Sequence, residues 1–171
     1  ALVEVTGEAG GATKEPLSQK QLRLSLTDRF AAIVSDLKLG HSKTNVVVSP
    51  WSTLIAARAR WDIETNGRTV ADALARSTDL FVQHFGERSF FDSKPVDPTN
   101  VVTNGLSTGT LHGFVTTALA MMGMDMSRRL QLTPSSVITT LSLTQWLADD
   151  LRGDGVFNNR GRDGQPINII D

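Results

Sequence analysis

A chain of 171 residues, 40% hydrophobic and 20% charged, is long enough for one domain with its own core and ordinary in make-up for a globular protein. Its 17 basic and 18 acidic residues leave a net charge of −1, which excludes the general basic excess of a monomeric nucleic-acid binder, so any such binding must come from local clusters repeated across many subunits. The absence of cysteine excludes disulfides and thiolate metal sites and fits a reducing compartment; no apolar run nears the roughly 20 residues of a membrane span, and the first residues lack a basic-then-apolar signal pattern.

In chain order, residues 1–16 hold Gly7, Gly10 and Gly11 among few large apolar groups and are expected to form a flexible N-terminal arm. Ser18 and Gln21 have capping-box spacing, and Leu22, Leu26, Phe30, Ile33, Val34 and Leu37 then recur at helical intervals up to a stop at Gly40. Asn45-Val46-Val47-Val48 is a short strand or extended link. Ser49-Pro50 opens a helix with Trp51, Leu54, Ile55 and Trp61 on its apolar face, which Asn66-Gly67 interrupts. A further helix follows through Val70, Ala73, Leu74 and Phe81.

Residues 84–110, rich in Gly, Pro and Asn, form a long loop with Phe90-Phe91 and Val101-Val102 as strand candidates; a connection of that length is usually functional. The next helix runs from about Leu111 to Arg129, with Phe114, Val115, Ala118, Leu119 and Met122 inward. Thr133-Pro134 opens the last, which carries Val137, Ile138, Leu141, Trp146, Leu147 and Leu151 and stops at Gly153. The expected fold is mainly α: an antiparallel four-helix bundle with a small β patch, a core over 17–153, and a polar, extended C-terminal tail over 154–171.

Candidate chemistry is sparse. His41, His84 and His112 are scattered without partners at ligand spacing, so they are read as structural. The pairs Asp62/Glu64 and Asp149/Asp150 are read as solvated faces, and Gly153-Asp154-Gly155 as a turn. No enzymatic activity, metal or cofactor is expected. The basic residues say more. Arg58 and Arg60 lie on the helix before Asn66-Gly67, Arg68 follows that turn, and Arg128-Arg129 close the helix from Leu111. In an up-and-down bundle these can share one end, where several guanidiniums would clamp a phosphate backbone; the plainer alternative is that arginines at helix C-termini offset the helix dipole.

Three stretches, in this order, resemble the coat proteins of rod-shaped plant RNA viruses, the tobamovirus and furovirus group of the Virgaviridae. Thr65-Asn66-Gly67-Arg68-Thr69-Val70 is similar to the start of that family's second long helix. Phe114-Val115-Thr116-Thr117-Ala118-Leu119, running on to Asp125 and Arg128-Arg129, is similar to a Leu-Val-Thr-Ala-Leu-Leu helix followed by an Asp/Arg cluster. Leu151-Arg152-Gly153-Asp154-Gly155-Val156-Phe157-Asn158 resembles the family's Ile-Arg-Gly-Thr-Gly-Ser-Tyr-Asn ending. Gly86-Glu87-Arg88-Ser89-Phe90-Phe91 resembles a stretch of furovirus coats. The chain departs from the family at Thr133-Pro134-Ser135-Ser136, where an Arg/Asp-rich entry to the last helix is common.

The resemblance, which covers about residues 50–160, implies a structural subunit that self-assembles into a helical capsid around single-stranded genomic RNA, located in the virion and the host cytoplasm, with no membrane partner. It implies that Arg68, Arg128 and Arg129 hold phosphates, helped by Asn66, Thr69 and Asp125, while Val137 lies against a base. A second likeness, of Asn45-Val46-Val47-Val48-Ser49-Pro50 and Asn66-Gly67-Arg68-Thr69 to the opening of serpins, implies instead a protein-binding module or inhibitor fragment, though a serpin is more than twice this long.

Overall fold

The computed structural model describes residues 1–7, 11–15, 21–24, 27–35, 37, 40–42, 45–86, 93–96, 107–133, 137–160 and 164–166. Among these the protein is mainly α, with helices α1 (Pro50–Asn66), α2 (Val70–Phe85), α3 (Thr108–Arg129) and α4 (Thr140–Asp154), plus two small antiparallel sheets. No described helix is long and apolar enough to cross a membrane.

Local chemistry sets the helix ends. At α1, Ser49 Oγ accepts from the Ser52 amide at 3.2 Å while the Ser49 amide donates to Ser52 Oγ at 2.8 Å, so two otherwise orphaned donors are satisfied, and Pro50 follows with its φ already helical. Gly67, at φ +62°, ends α1. Thr69 and Ser107 cap α2 and α3 through the amides of Asp72 and Thr110, and Thr139 with Ser142 repeats the reciprocal cap at α4. The last helix therefore begins at Thr140, later than Thr133-Pro134 suggested. Val137, Ile138 and Thr139 precede it in non-helical backbone, and residues 134–136 lie outside the described ones. It also runs past Gly153 to Asp154, because Gly155 supplies the left-handed residue that closes it.

The N-terminal expectations need correcting. Residues 2–6 are not an arm: β1 (Leu2–Thr6) pairs antiparallel with β4 (Arg29–Ile33), Val3 opposite Ala32 and Val5 opposite Phe30. Nor are the described residues between 21 and 37 helical; β2 (Ala12–Lys14) pairs with β3 (Gln21–Arg23), which contains Leu22, and Phe30 and Ile33 lie in β4. The apolar residues there fit two periods, since Phe30, Ala32 and Val34 also alternate, and pairing with the β-branched stretch of β1 selects the strand. Ser18 and Leu26 lie outside the described residues, as do Phe90-Phe91, Val101-Val102 and most of the furovirus-like stretch. Glu15, buried, accepts from the amide and hydroxyl of Thr140 and so ties the N-terminal segment to the start of α4.

The core is one cluster built from Trp51, Leu54, Ile55, Ala57, Phe81, Leu119, Ile138, Leu143, Ala148 and Leu151. Helix α1 is its axis and packs on α2, α4 and β4, while α3 packs on α4. Full burial of a leucine such as Leu54 or Leu143 stabilises by about 1.5–3 kcal/mol. Helices α1 and α4 run side by side in one direction, where an up-and-down succession of four helices would oppose them. The starting ends of both reach β4, where the Ala31 amide donates to Thr53 Oγ1 and the Arg29 carbonyl accepts from Gln145; at their finishing ends Glu64 meets Arg152 at 3.8 Å, and Trp61 abuts Gly155.

Helix α3 crosses the starts of both. His112 near its beginning reaches Ser49, and Gly123 and Ser127 near its end meet Ile138. The first residues of the C-terminal segment do not extend away: the amides of Asn158 and Arg160 donate to the Asp150 carboxylate, and the Phe157 ring stands edge-on to Phe81. A buried carboxylate with two amide donors is the physical reason for that turn back.

Candidate nucleic-acid interface

The residues singled out from the sequence fall into two groups. The first surrounds Asp62, on the last turns of α1. Arg58, Asp62 and Asn66 follow one another at four-residue spacing and so share a helix face. Asn66 Nδ2 donates to Asp62 Oδ1 at 2.6 Å, and Arg68 Nε donates to the same oxygen at 3.1 Å. From α2, Arg76 Nε comes within 3.6 Å of Oδ2, and Arg58 Nη1 stands 4.0 Å from it. Asp62, read from the sequence as solvated, is therefore buried, with its side chain 2% exposed. Its Arg76 contact was not foreseen, although the Arg58/Asp62/Asn66 spacing was there to be read.

Three arginines share this one carboxylate, which leaves two positive charges uncompensated among them. Burial alone would raise the Asp62 pKa; the Asn66 hydrogen bond and the charges of Arg68 and Arg58 outweigh it and hold the carboxyl below its usual value. Burial lowers the pKa of the Arg58 guanidinium, Asp62 opposes that shift, and Arg76 and Arg68 add to it. Arg58 stacks on Trp61, 4.4 Å from the ring centroid, and its Nε and Nη1 have no hydrogen-bond partner among the described residues. Arg68 and Arg76 reach solvent, at 38% and 58% exposed. Thr69 is occupied locally: its hydroxyl caps α2 and bonds the Asp72 carboxylate at 2.8 Å.

The second group lies where α3 ends. Arg129 Nε bonds Asp125 Oδ2 at 2.6 Å in an exposed pair, and Arg128 is exposed beside it. Ser127 donates to the Gly123 carbonyl at 2.7 Å and accepts from the Ile138 amide at 2.8 Å. That bond draws the segment holding exposed Val137 against the end of α3, so Val137 shares a neighbourhood with Asp125, Arg128 and Arg129. Gly123 permits the approach, since a Cβ there would stand 2.7 Å from the Ile138 carbonyl oxygen.

The two groups do not meet at one end. The Asp62 cluster sits at the finishing ends of α1 and α4, and Arg128-Arg129 at the starting end of α4. The 15 residues of α4 separate them by about 22 Å at 1.5 Å per residue.

Of the histidines and the second acidic pair weighed for chemistry, His112 and Asp150 are engaged in packing, while His41 and Asp149 are exposed. His112 is buried, with Nδ1 2.5 Å from the Ser93 carbonyl oxygen and Nε2 3.2 Å from Ser49 Oγ. Asp150 holds the C-terminal turn. Asp149 lies in a cleft of about 410 Å³ between the β1–β4 sheet and helices α1 and α4, together with Glu4, Arg29, Arg60 and Arg152; burial raises its pKa and Arg152 opposes the rise. Among the described residues no three His, Asp or Glu side chains gather as a metal site. Comparison with family models, with curated proteins and with solved structures matches nothing to this chain.

Proposed function

We propose that this protein is a structural coat subunit that self-assembles into a helical rod and packages single-stranded RNA. The observation that carries the reading is the outward face of α3. Leu111, Phe114, Ala118 and Met121, at the three- and four-residue spacing of one helical stripe, are all exposed, Met121 at 58%, with Met122 and Met124 beside them. Such a face on an otherwise well-packed domain suits contact with another protein surface, and a net charge of −1 lets copies crowd together without strong repulsion. The stripe leads directly into Arg128 and Arg129. Neighbouring subunits joined along α3 would therefore line up their arginine pairs, and repetition would supply the affinity that one subunit lacks.

In this reading the four helices form the bundle that stacks in the rod, with α1 and α4 pointing the same way. RNA phosphates meet Arg128 and Arg129, with Asp125 orienting Arg129, while exposed Val137 offers an apolar surface that accepts any base. Arg68 makes a second phosphate contact from the Asp62 cluster, with Asn66 and Thr69 shaping its turn. The role is structural and needs no cofactor, in the virion and in the host cytoplasm where it assembles. The test is RNA affinity against salt concentration. Single strands contribute a slope of about 0.7 per neutralised phosphate, so Arg128→Ala/Arg129→Ala lowers the slope by about 1.4 and weakens binding to all sequences alike. Unchanged affinity and slope in that variant overturn the assignment.

A further inference from the structure

The two long edges of the β1–β4 sheet are treated very differently. The Val34 amide donates to the Ala1 carbonyl at 2.7 Å and the Gly7 amide to the Asp28 carbonyl at 3.1 Å. With the observed register, the odd-numbered residues of β1 therefore bond β4, and the amides and carbonyls of Leu2, Glu4 and Thr6 point away from it. On the outer edge of β4 the equivalent groups are capped: the Ala31 amide donates to Thr53 Oγ1 at 2.9 Å, the Ala31 carbonyl accepts from Ser52 Oγ at 2.7 Å, and the Arg29 carbonyl accepts from Gln145. Side chains of α1 and α4 thus close that edge to further strands. The second sheet has strands of only three residues, carrying Lys14, Gln21 and Arg23, which are short and charged in the way that discourages pairing. Among the described residues nothing bonds the outer edge of β1, and its Val5 is 51% exposed.

We infer that the outer edge of β1 pairs antiparallel with the same edge of a second copy of this chain. A row of alternating donors and acceptors is matched by another strand edge, and every copy carries one already formed, so no ordering cost arises. A two-fold axis at Glu4 sets Leu2 opposite Thr6 of the other copy and Val3 opposite its Val5, the latter an apolar cross-strand pair that the symmetry forms twice. The one unfavourable meeting, Glu4 with Glu4, is offset within each copy by Arg60, whose Nη1 lies 3.5 Å from the Glu4 carboxylate. The inference deepens the self-assembly reading, and rests on it only in requiring that copies associate.

Proline separates the pairing from the fold, because an outward amide on an edge strand can be lost without breaking the bonds to β4. Glu4→Pro, with Glu4→Gln as control for the lost Arg60 pair, is compared with the parent chain by sedimentation without RNA. Hydrogen exchange at Leu2, Glu4 and Thr6 is followed in the unaltered chain as its concentration rises, which keeps the test decisive should the proline variant fail to fold. The expected result is association of the parent and Glu4→Gln, monomers for Glu4→Pro, and exchange at the three amides slowing about tenfold or more on association. Association of Glu4→Pro at the parent's level, or amides equally protected at every concentration, overturns the pairing and leaves self-assembly standing. A parent chain that stays monomeric with freely exchanging amides overturns both.

Discussion

Replacing Asp62 by alanine removes the shared partner of Arg58, Arg68 and Arg76. Breaking a buried ion pair by deleting one member costs about 3–5 kcal/mol, because the other charge stays buried and unpaired. Here the three arginines differ. Arg68 and Arg76, at 38% and 58% exposed, turn to water once released, whereas Arg58, at 13%, is held between Trp61 and the core. One stranded guanidinium rather than three puts Asp62→Ala at the lower end, about 3 kcal/mol, or a Tm lower by about 6–12 °C in a domain of this size. Urea denaturation with parallel calorimetry measures it. The same logic predicts that Asp62→Ala/Arg58→Met recovers about half the loss or more, since a buried ion pair exchanged for apolar volume is often close to neutral. A single variant that loses under about 1 kcal/mol, or a double variant no more stable than the single, refutes the claim that Asp62 exists to neutralise a trapped arginine.

Asp62 also sets a pH dependence. Its carboxyl lies below the ordinary value of 3.8 in the folded state, so its contribution is fully present above that value and is lost as pH falls through 3.8 toward the lowered one; urea midpoints of the parent therefore fall more steeply below about pH 4 than those of Asp62→Asn. Gly155→Ala meets the Trp61 ring at 2.6 Å in left-handed backbone and costs about 2–4 kcal/mol. Gly67→Ala, equally left-handed but with nothing within 4 Å, costs only about 1–2 kcal/mol, and equal losses at the two sites contradict the packing account. Phe114→Glu/Met121→Glu, both on the exposed stripe of α3, leaves monomer stability within about 0.5 kcal/mol per site and abolishes large assemblies seen by light scattering; assembly at the parent's level removes α3 as the contact.

Much of the helical framework was legible in the sequence because its punctuation is local. Ser49-Pro50, Asn66-Gly67 and the run from Leu111 to Arg129 mark helix ends through contacts within a few residues, but the inward face of the last was misassigned: Leu119 is buried as expected, whereas Phe114, Ala118 and Met122 are exposed. What stayed hidden depends on partners distant in sequence. Phe30, Ile33, Val34 and Leu37 fit a helical period while Phe30, Ala32 and Val34 fit an alternating one, and β1, more than 20 residues earlier in the register, decides between them. Asp62 resembles a surface acid until α2 brings Arg76 across and Arg68 folds back onto it. Val137 and Arg128 were expected on separate helices; the Ser127–Ile138 hydrogen bond, which no spacing announces, makes them neighbours. The same long-range arrangement parts Arg68 from Arg128, because α1 and α4 run in one direction and α3 crosses their starting ends.

The central claim is that this chain exists to assemble on RNA, and negative-stain electron microscopy of the purified protein, with and without single-stranded RNA, tests it most directly. Rods or stacked discs that lengthen with RNA are the predicted result. Uniform small particles under both conditions contradict the coat reading.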